Sequence, residues 1–242
     1  AIAGIVITAS HNPKEYNGYK VYNEYGCQIT GEMAEAILEN INRYQELEDL
    51  PMMLSYETAE ASDLYHVVDD MYHQAYQKAV LEQALLHDTV AKENLKVVYT
   101  PLHGTGLVPV TNVLDKDGFT QIHVLESQKE PDSAFSTVRS PNPEEKDALQ
   151  LVIAHGEKIG ADLVLGTDPD ADRVGIAVWN GTEFVLLTGN QTGALLADYV
   201  LSQRELDETA VVIKTIVTSE LGADIAEAHG AEVMNVLTGF KY

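Results

Sequence analysis

Cysteine is almost missing. Cys27 is the only one in 242 residues, so no disulfide can form within the chain and a cytoplasmic setting is expected. Beside Gly26 it reads as a small packing residue. Basic residues are scarce too, with 15 Lys and Arg against 38 Asp and Glu, for a formal charge of −23. Nucleic acid needs a basic face to neutralise its phosphates, so no nucleic-acid partner is expected. A small phosphorylated molecule is not excluded, because a few local donors and a cation suffice to make a positive site. There is no run of 18 apolar residues and no basic-then-apolar leader, so no membrane partner or secretion is expected. The apolar content of 45% is ample for cores, and the length allows about one to three compact units.

The chain opens inside an apolar strand pattern at 1–7 and closes just after another strand-like run, so both edges read as cuts in something longer. A polar, Gly- and Pro-punctuated loop covers 8–18, and a short apolar alternation follows through Tyr19, Val21 and Tyr22. Met33, Ile37, Leu38, Ile41 and Tyr44 give residues 31–45 a helical period. The stretch from Pro51 to Ser62 reads as a linker. Ser62 and Asp63 are placed to cap a long helix to about Leu86, with Leu64, Val67, Val68, Met71 and Ala75 on one face.

Strand and helix then alternate. Strands are expected at 95–99, 121–125, 161–165, 174–179 and 183–187, and helices at 107–117, 144–155 and 190–202. Asn180-Gly181 between two apolar runs is a type I′ hairpin signal. A last β-α-β unit covers 210–214, 219–228 and 231–237. The fold class is α/β: successive mixed α/β domains with helices packed on both faces of small sheets, the strands of parallel type.

Two loops carry chemistry. Thr8-Ala9-Ser10-His11-Asn12-Pro13 leaves the C-terminal end of a strand, where α/β folds place ligand sites. Ser10 is a candidate phosphoryl acceptor, His11 a proton shuttle or a hydrogen-bond donor to a phosphate oxygen, and Lys20 a nearby cation. An Asn-Pro turn with a locally bonded serine is the plainer alternative. The second loop, Gly166-Thr167-Asp168-Pro169-Asp170-Ala171-Asp172-Arg173, sets three carboxylates at alternate positions between two apolar strands. Oxygen-only ligands suit Mg²⁺, and three like charges so close are costly without a cation. A solvated acidic turn is the alternative.

An EF-hand fails, because its required Gly and Glu fall at Arg173 and Trp179. An Asp-nucleophile phosphatase pattern fits Asp170-Ala171-Asp172-Arg173-Val174 literally, though it leaves Asp168 and Arg173 without a purpose.

Together the two loops, about 160 residues apart, resemble those of the α-D-phosphohexomutase family, the phosphoglucomutases and phosphomannomutases. The serine loop with Tyr16-Asn17-Gly18-Tyr19-Lys20 is similar to that family's active-site loop, and residues 166–173 to its metal loop. Thr100-Pro101-Leu102-His103-Gly104-Thr105-Gly106, Ser140-Pro141-Asn142-Pro143-Glu144-Glu145, Lys214-Thr215-Ile216-Val217-Thr218-Ser219 and Thr238-Gly239-Phe240-Lys241 resemble the longer bacterial phosphoglucomutase branch.

The resemblance implies a four-domain enzyme interconverting glucose 1-phosphate and glucose 6-phosphate through a phosphoserine at Ser10 and glucose 1,6-bisphosphate. Mg²⁺ would bind Asp168, Asp170, Asp172 and an oxygen on Ser10. Arg173 would contact the phosphoryl group, His11 and Lys20 would serve as general acid and base, and Lys214 and Lys241 would touch substrate. Phosphomannomutase, phosphopentomutase or glucosamine phosphate specificity stays open.

The domains implied are 1–60 for the end of domain I, 61–185 for domain II and 186–242 for the start of domain III. The rest of domains I and III and all of domain IV would lie outside the sequence, so little turnover is expected from the chain alone. Ala171 stands where many relatives have Gly, which a tight turn absorbs unless φ is positive there.

Overall fold

A computed structural model describes residues 2–44, 54–86 and 89–239. These fall into two compact units, one of 2–6, 19–44 and 54–76, the other of 7–18, 77–86 and 89–239. The first unit holds most of β1 (Ala3–Ile7), which pairs with β2 (Tyr19–Asn23) in a two-stranded sheet, then α1 (Gly31–Ile41), α2 (Tyr56–Glu60) and most of α3 (Asp70–Leu81).

Three expectations change here. The helix over 31–45 stops at Ile41, capped by Asn42. The linker contains α2, whose Ser55 accepts a bond from the Thr58 N–H at 3.3 Å. The long helix begins at Asp70 rather than near Ser62. The Ser62 hydroxyl donates back to Ala59 O at 2.7 Å and accepts from the Leu64 N–H, which closes a turn instead of opening a helix. The carboxylate of Asp69 then takes the Met71 N–H at 3.1 Å. The supposed apolar face is consequently exposed, with Leu64 at 92% and Val67 at 78%.

The second unit runs α4 (Thr89–Asn94), which the sequence pattern did not suggest, then β3 (Val97–Thr100), α5 (Leu107–Lys116) and β4 (Ile122–Val124). It continues with α6 (Lys146–Ile159), β5 (Leu163–Thr167), β6 (Val174–Trp179), β7 (Phe184–Leu186) and α7 (Gly189–Gln203). The last elements are β8 (Val211–Thr215), α8 (Leu221–Ala228) and β9 (Glu232–Val236). Five strands form one sheet in the order β4-β3-β5-β6-β7, and β8 and β9 form a parallel pair.

The large sheet is mixed, not parallel throughout. β3 is parallel to β4 and β5, while β5, β6 and β7 pair antiparallel. Only loops 168–173 and 180–183 join the last three strands, and a parallel crossover needs a dozen residues or more. The β6–β7 turn is not type I′ either. Of Asn180 and Gly181 only Gly181 takes a positive φ, 101°, while the Asn180 side chain accepts the N–H groups of Thr182 and Glu183, both at 2.9 Å.

Every residue of β3 is buried, as a strand covered on both faces requires. Ala148, Leu149, Val152 and Gly156 form the inward stripe of α6 at helical spacing. Leu149 and Val152 share a core with Val98, Val164 and Ala177. Because β3 and β5 are parallel, Thr100 and Thr167 deliver their following loops to the same end of the sheet. Among the described residues no helix is long and apolar enough to cross a membrane.

Leu149→Ala should lower unfolding free energy by about 2–5 kcal/mol, as for other fully buried leucines. Leu64→Ala, at an exposed site outside any helix, should change it by less than about 0.5 kcal/mol. Denaturant titration of the two variants separates this fold from one with a helix starting near Ser62.

Candidate active site

Asp168 is the first residue past β5 and is 0% exposed. Its Oδ1 accepts the backbone N–H groups of Asp172 at 3.1 Å and Arg173 at 3.0 Å, so the loop folds around its own carboxylate. Ala171 closes the turn with its N–H on Asp168 O, at φ 58°. That positive φ settles the point raised by an alanine here: it sits where glycine is unstrained. Asp168, Asp170 and Asp172 each offer an oxygen within 4.8 Å of the others.

Burial pushes the Asp168 carboxyl up to about 6. A hydrogen bond to Asp170 adds to the rise, the Arg173 N–H opposes it, and the charges of Asp170 and Asp172 raise it further. An all-carboxylate donor set whose buried member, Asp168, resists ionisation fits a hard divalent cation, which offsets those charges.

The loop is braced from below. The Thr105 N–H and hydroxyl both donate to Pro169 O, at 2.9 and 3.0 Å. Gly104 lies so close that a Cβ there would sit 2.3 Å from the Pro169 Cα, which only glycine avoids. Beside it the Tyr99 hydroxyl bonds Thr167 Oγ1 at 2.7 Å, and burial pushes the phenol up to about 12, keeping it neutral.

Ser10 meets the acidic loop directly. Its Oγ donates to Asp168 Oδ2 at 3.2 Å and lies 3.0 Å from His11 Nδ1. Thr8 takes the Ser10 N–H on its hydroxyl oxygen at 2.8 Å and donates to Asp170 Oδ2 at 3.1 Å. Ser10 itself holds φ 53°, a left-handed backbone conformation that a non-glycine residue adopts at a cost. The Ser140 hydroxyl secures the next residue, donating to His11 O at 3.1 Å.

The three domain descriptions that match are all from one family. Residues 1–48, 74–181 and 188–242 match phosphoglucomutase/phosphomannomutase alpha/beta/alpha domains I, II and III respectively. The chain belongs to this family.

Among curated relatives, the phosphoglucomutase of Staphylococcus epidermidis (strain ATCC 12228 / FDA PCI 1200) is 40% identical over 243 residues, covering 100% of this chain and 44% of the relative. That of Staphylococcus aureus (strain MRSA252) is 37% identical over 246 residues, 99% and 43%. The chain thus spans less than half the length of these relatives. A Thermus thermophilus structure assigned as a phosphomannomutase aligns with TM-score 0.76 at 25% identity, over 100% of this chain and 50% of that one. A Burkholderia thailandensis protein of the phosphoglucomutase/phosphomannomutase family shares the fold at TM-score 0.72 and 22% identity, over 99% and 46%.

Of the residues singled out from this family's motifs, Ser10, His11, Asp168, Asp170 and Asp172 are brought together. Arg173 extends beside them, NH1 3.8 Å from Glu144 Oε2, with its side chain 40% exposed. Lys20 lies on β2 in the other unit. Lys214 is buried at the end of β8, its Nζ donating to Thr218 O at 3.2 Å and Glu220 Oε1 at 2.9 Å. Lys241 lies outside the described residues. Thr8, Gly104, Thr105 and Ser140 were not singled out as functional. Gly104 had a sequence signal, a glycine-spaced run directly after a strand.

The Asp168 carboxyl sits near 6 in the fold against 3.8 for the free group, so the folded chain keeps a proton that the unfolded chain has already released. Its contribution to stability is therefore present at low pH and lost as pH rises through that window. Without divalent cation, Asp168→Asn, which keeps an acceptor oxygen, should melt higher than wild type at pH 8. The gain should be about 2–4 °C per kcal/mol recovered, and it should vanish toward pH 4. Thermal melts across pH check this, and equal melting at every pH would contradict it.

Proposed function

We propose that a protein carrying this chain interconverts glucose 1-phosphate and glucose 6-phosphate, with Ser10 as the phosphoryl carrier and glucose 1,6-bisphosphate as the intermediate. The observation that carries the reading is the 3.2 Å contact of Ser10 Oγ with Asp168 Oδ2, inside a cluster of three carboxylates. A phosphoryl group on Ser10 would meet that cluster at once, and the two are compatible only with a cation between them. Asp168, Asp170 and Asp172 would hold Mg²⁺ together with an oxygen on Ser10. Bound there, Mg²⁺ supplies charge neutralisation of the transferring group.

The chain's residues divide the remaining work. In transfer to the sugar, its hydroxyl forms a bond to phosphorus while the bond from phosphorus to Ser10 Oγ breaks. His11 Nδ1, 3.0 Å from that oxygen, returns a proton to it. Lys20 takes the proton of the attacking hydroxyl. Arg173 presents a planar guanidinium to the phosphoryl oxygens, a bidentate task for which lysine is a poor substitute. Lys214 and Lys241 complete the proposal as substrate contacts, Lys214 through the loop 215–220 that its ammonium fixes.

Intact-mass analysis of the chain incubated with glucose 1,6-bisphosphate and Mg²⁺ tests the assignment. Wild type should gain one phosphoryl group on Ser10, Ser10→Ala none, and Asp170→Asn should react slower by about 10² or more. A faster reaction with the mannose bisphosphate would move the sugar assignment to a phosphomannomutase. Uptake by Ser10→Ala equal to wild type would overturn the carrier assignment in favour of an aspartyl phosphoryl acceptor.

A further inference from the structure

The serine loop and the acidic loop belong to different parts of the chain, yet one segment touches the supports of both. Residues 126–140 leave β4 through a short 3-10 turn at Glu126–Gln128 and run as a strap to the buried Pro141. At its near end the strap grips His103 by three bonds. The His103 N–H donates to Gln128 O at 2.9 Å, Nδ1 meets Glu130 O at 2.9 Å, and Nε2 meets Thr137 Oγ1 at 2.8 Å. A carbonyl only accepts, so in the neutral ring Nδ1 carries the proton and Nε2 accepts from the Thr137 hydroxyl.

Gln128, 0% exposed, closes the network. It donates to Thr137 Oγ1 at 3.1 Å and accepts from Thr100 Oγ1 at 2.8 Å. Leu102 and His103 both sit at positive φ, 47° and 63°, which a leucine and a histidine hold only when their surroundings compel it. Directly beyond them, Gly104 and Thr105 bear on Pro169 of the acidic loop. The His103 ring therefore anchors the brace under Asp168. At the far end of the strap Ser140 holds the His11 carbonyl, one residue from Ser10.

We propose that His103 and Ser140 are positioning residues through which the strap 126–140 sets the spacing between Ser10 and Asp168. Neither touches a reacting atom. His103, through Thr137, fixes the acidic-loop side, and Ser140 fixes the serine-loop side.

Amide hydrogen exchange on the metal-free chain tests this with Thr137→Val, Thr137→Ser and Ser140→Ala. The Asp172 and Arg173 amides, which bond Asp168, should exchange about tenfold faster in Thr137→Val, the scale of one lost hydrogen bond. They should return to wild-type rates in Thr137→Ser, which restores the hydroxyl. The Ser10 amide, bonded to Thr8, should accelerate about tenfold in Ser140→Ala and not in Thr137→Val. Core amides of β3 and β5 should stay within about twofold in all three.

A second arm rests on the cation reading: Mn²⁺ affinity should fall about tenfold in Thr137→Val and recover in Thr137→Ser. If wild type binds no Mn²⁺, the cation reading fails, and the exchange rates alone decide the positioning claim. Should Thr137→Val not fold, Ser140→Ala decides it. Equal acceleration in loops and core, or no change at either loop, would overturn the proposal.

Discussion

Oxygens of three carboxylates lie within 4.8 Å of one another, and one of the three, Asp168, is fully buried. At that separation each ionised pair repels by roughly 3–4 kcal/mol at an effective dielectric of about 20. The backbone N–H groups of Asp172 and Arg173 relieve part of this by binding Asp168, but burial still leaves that carboxyl titrating near 6. At neutral pH the loop is a site prepared for positive charge. Ser10 and Thr8 turn their hydroxyls toward the same carboxylates, so whatever neutralises the aspartates also lies beside the serine oxygen.

The fold holds such a cluster in place by strand pairing and by hydrogen bonds from a neighbouring loop. The parallel pairing of β3 and β5 sets the brace loop and the acidic loop at one end of the sheet. Gly104 packs so near Pro169 that no side chain would fit between the two loops, and Thr105 bonds the Pro169 carbonyl. Of the five non-glycine residues in the left-handed region, Ser10 lies on the serine loop, Leu102 and His103 on the brace loop and Ala171 on the acidic loop, while Phe135 lies on the segment between β4 and α6. Outside this centre the second unit is an ordinary covered sheet, with α6 packed on Val98 and Val164.

The alternate aspartates between two apolar strands were legible in the sequence because their signal is local, and β6 runs over the residues its pattern marks. Ser10 was ambiguous, since the contact that distinguishes it from a turn serine is made with Asp168, 158 residues away. The role of His103 was hidden for the same reason, its ring partners lying 27 and 34 residues along the chain. Local misreadings had local causes. Ser62 turned its hydroxyl backward to Ala59, and Asn180 used its side chain where a type I′ turn would use its backbone. The antiparallel turn at 180–183 was expected as a hairpin, while the β5–β6 reversal follows from the short loop 168–173, which the expectation of parallel strands overlooked.

If a phosphoryl group on Ser10 and the aspartate triad share one cation, phosphorus NMR of the Ser10-phosphorylated chain titrated with Mn²⁺ will show it. Paramagnetic broadening should erase the phosphoserine resonance in wild type and spare it in Asp170→Asn. A phosphoserine line that stays sharp while Mn²⁺ is bound to the wild-type chain would contradict the account.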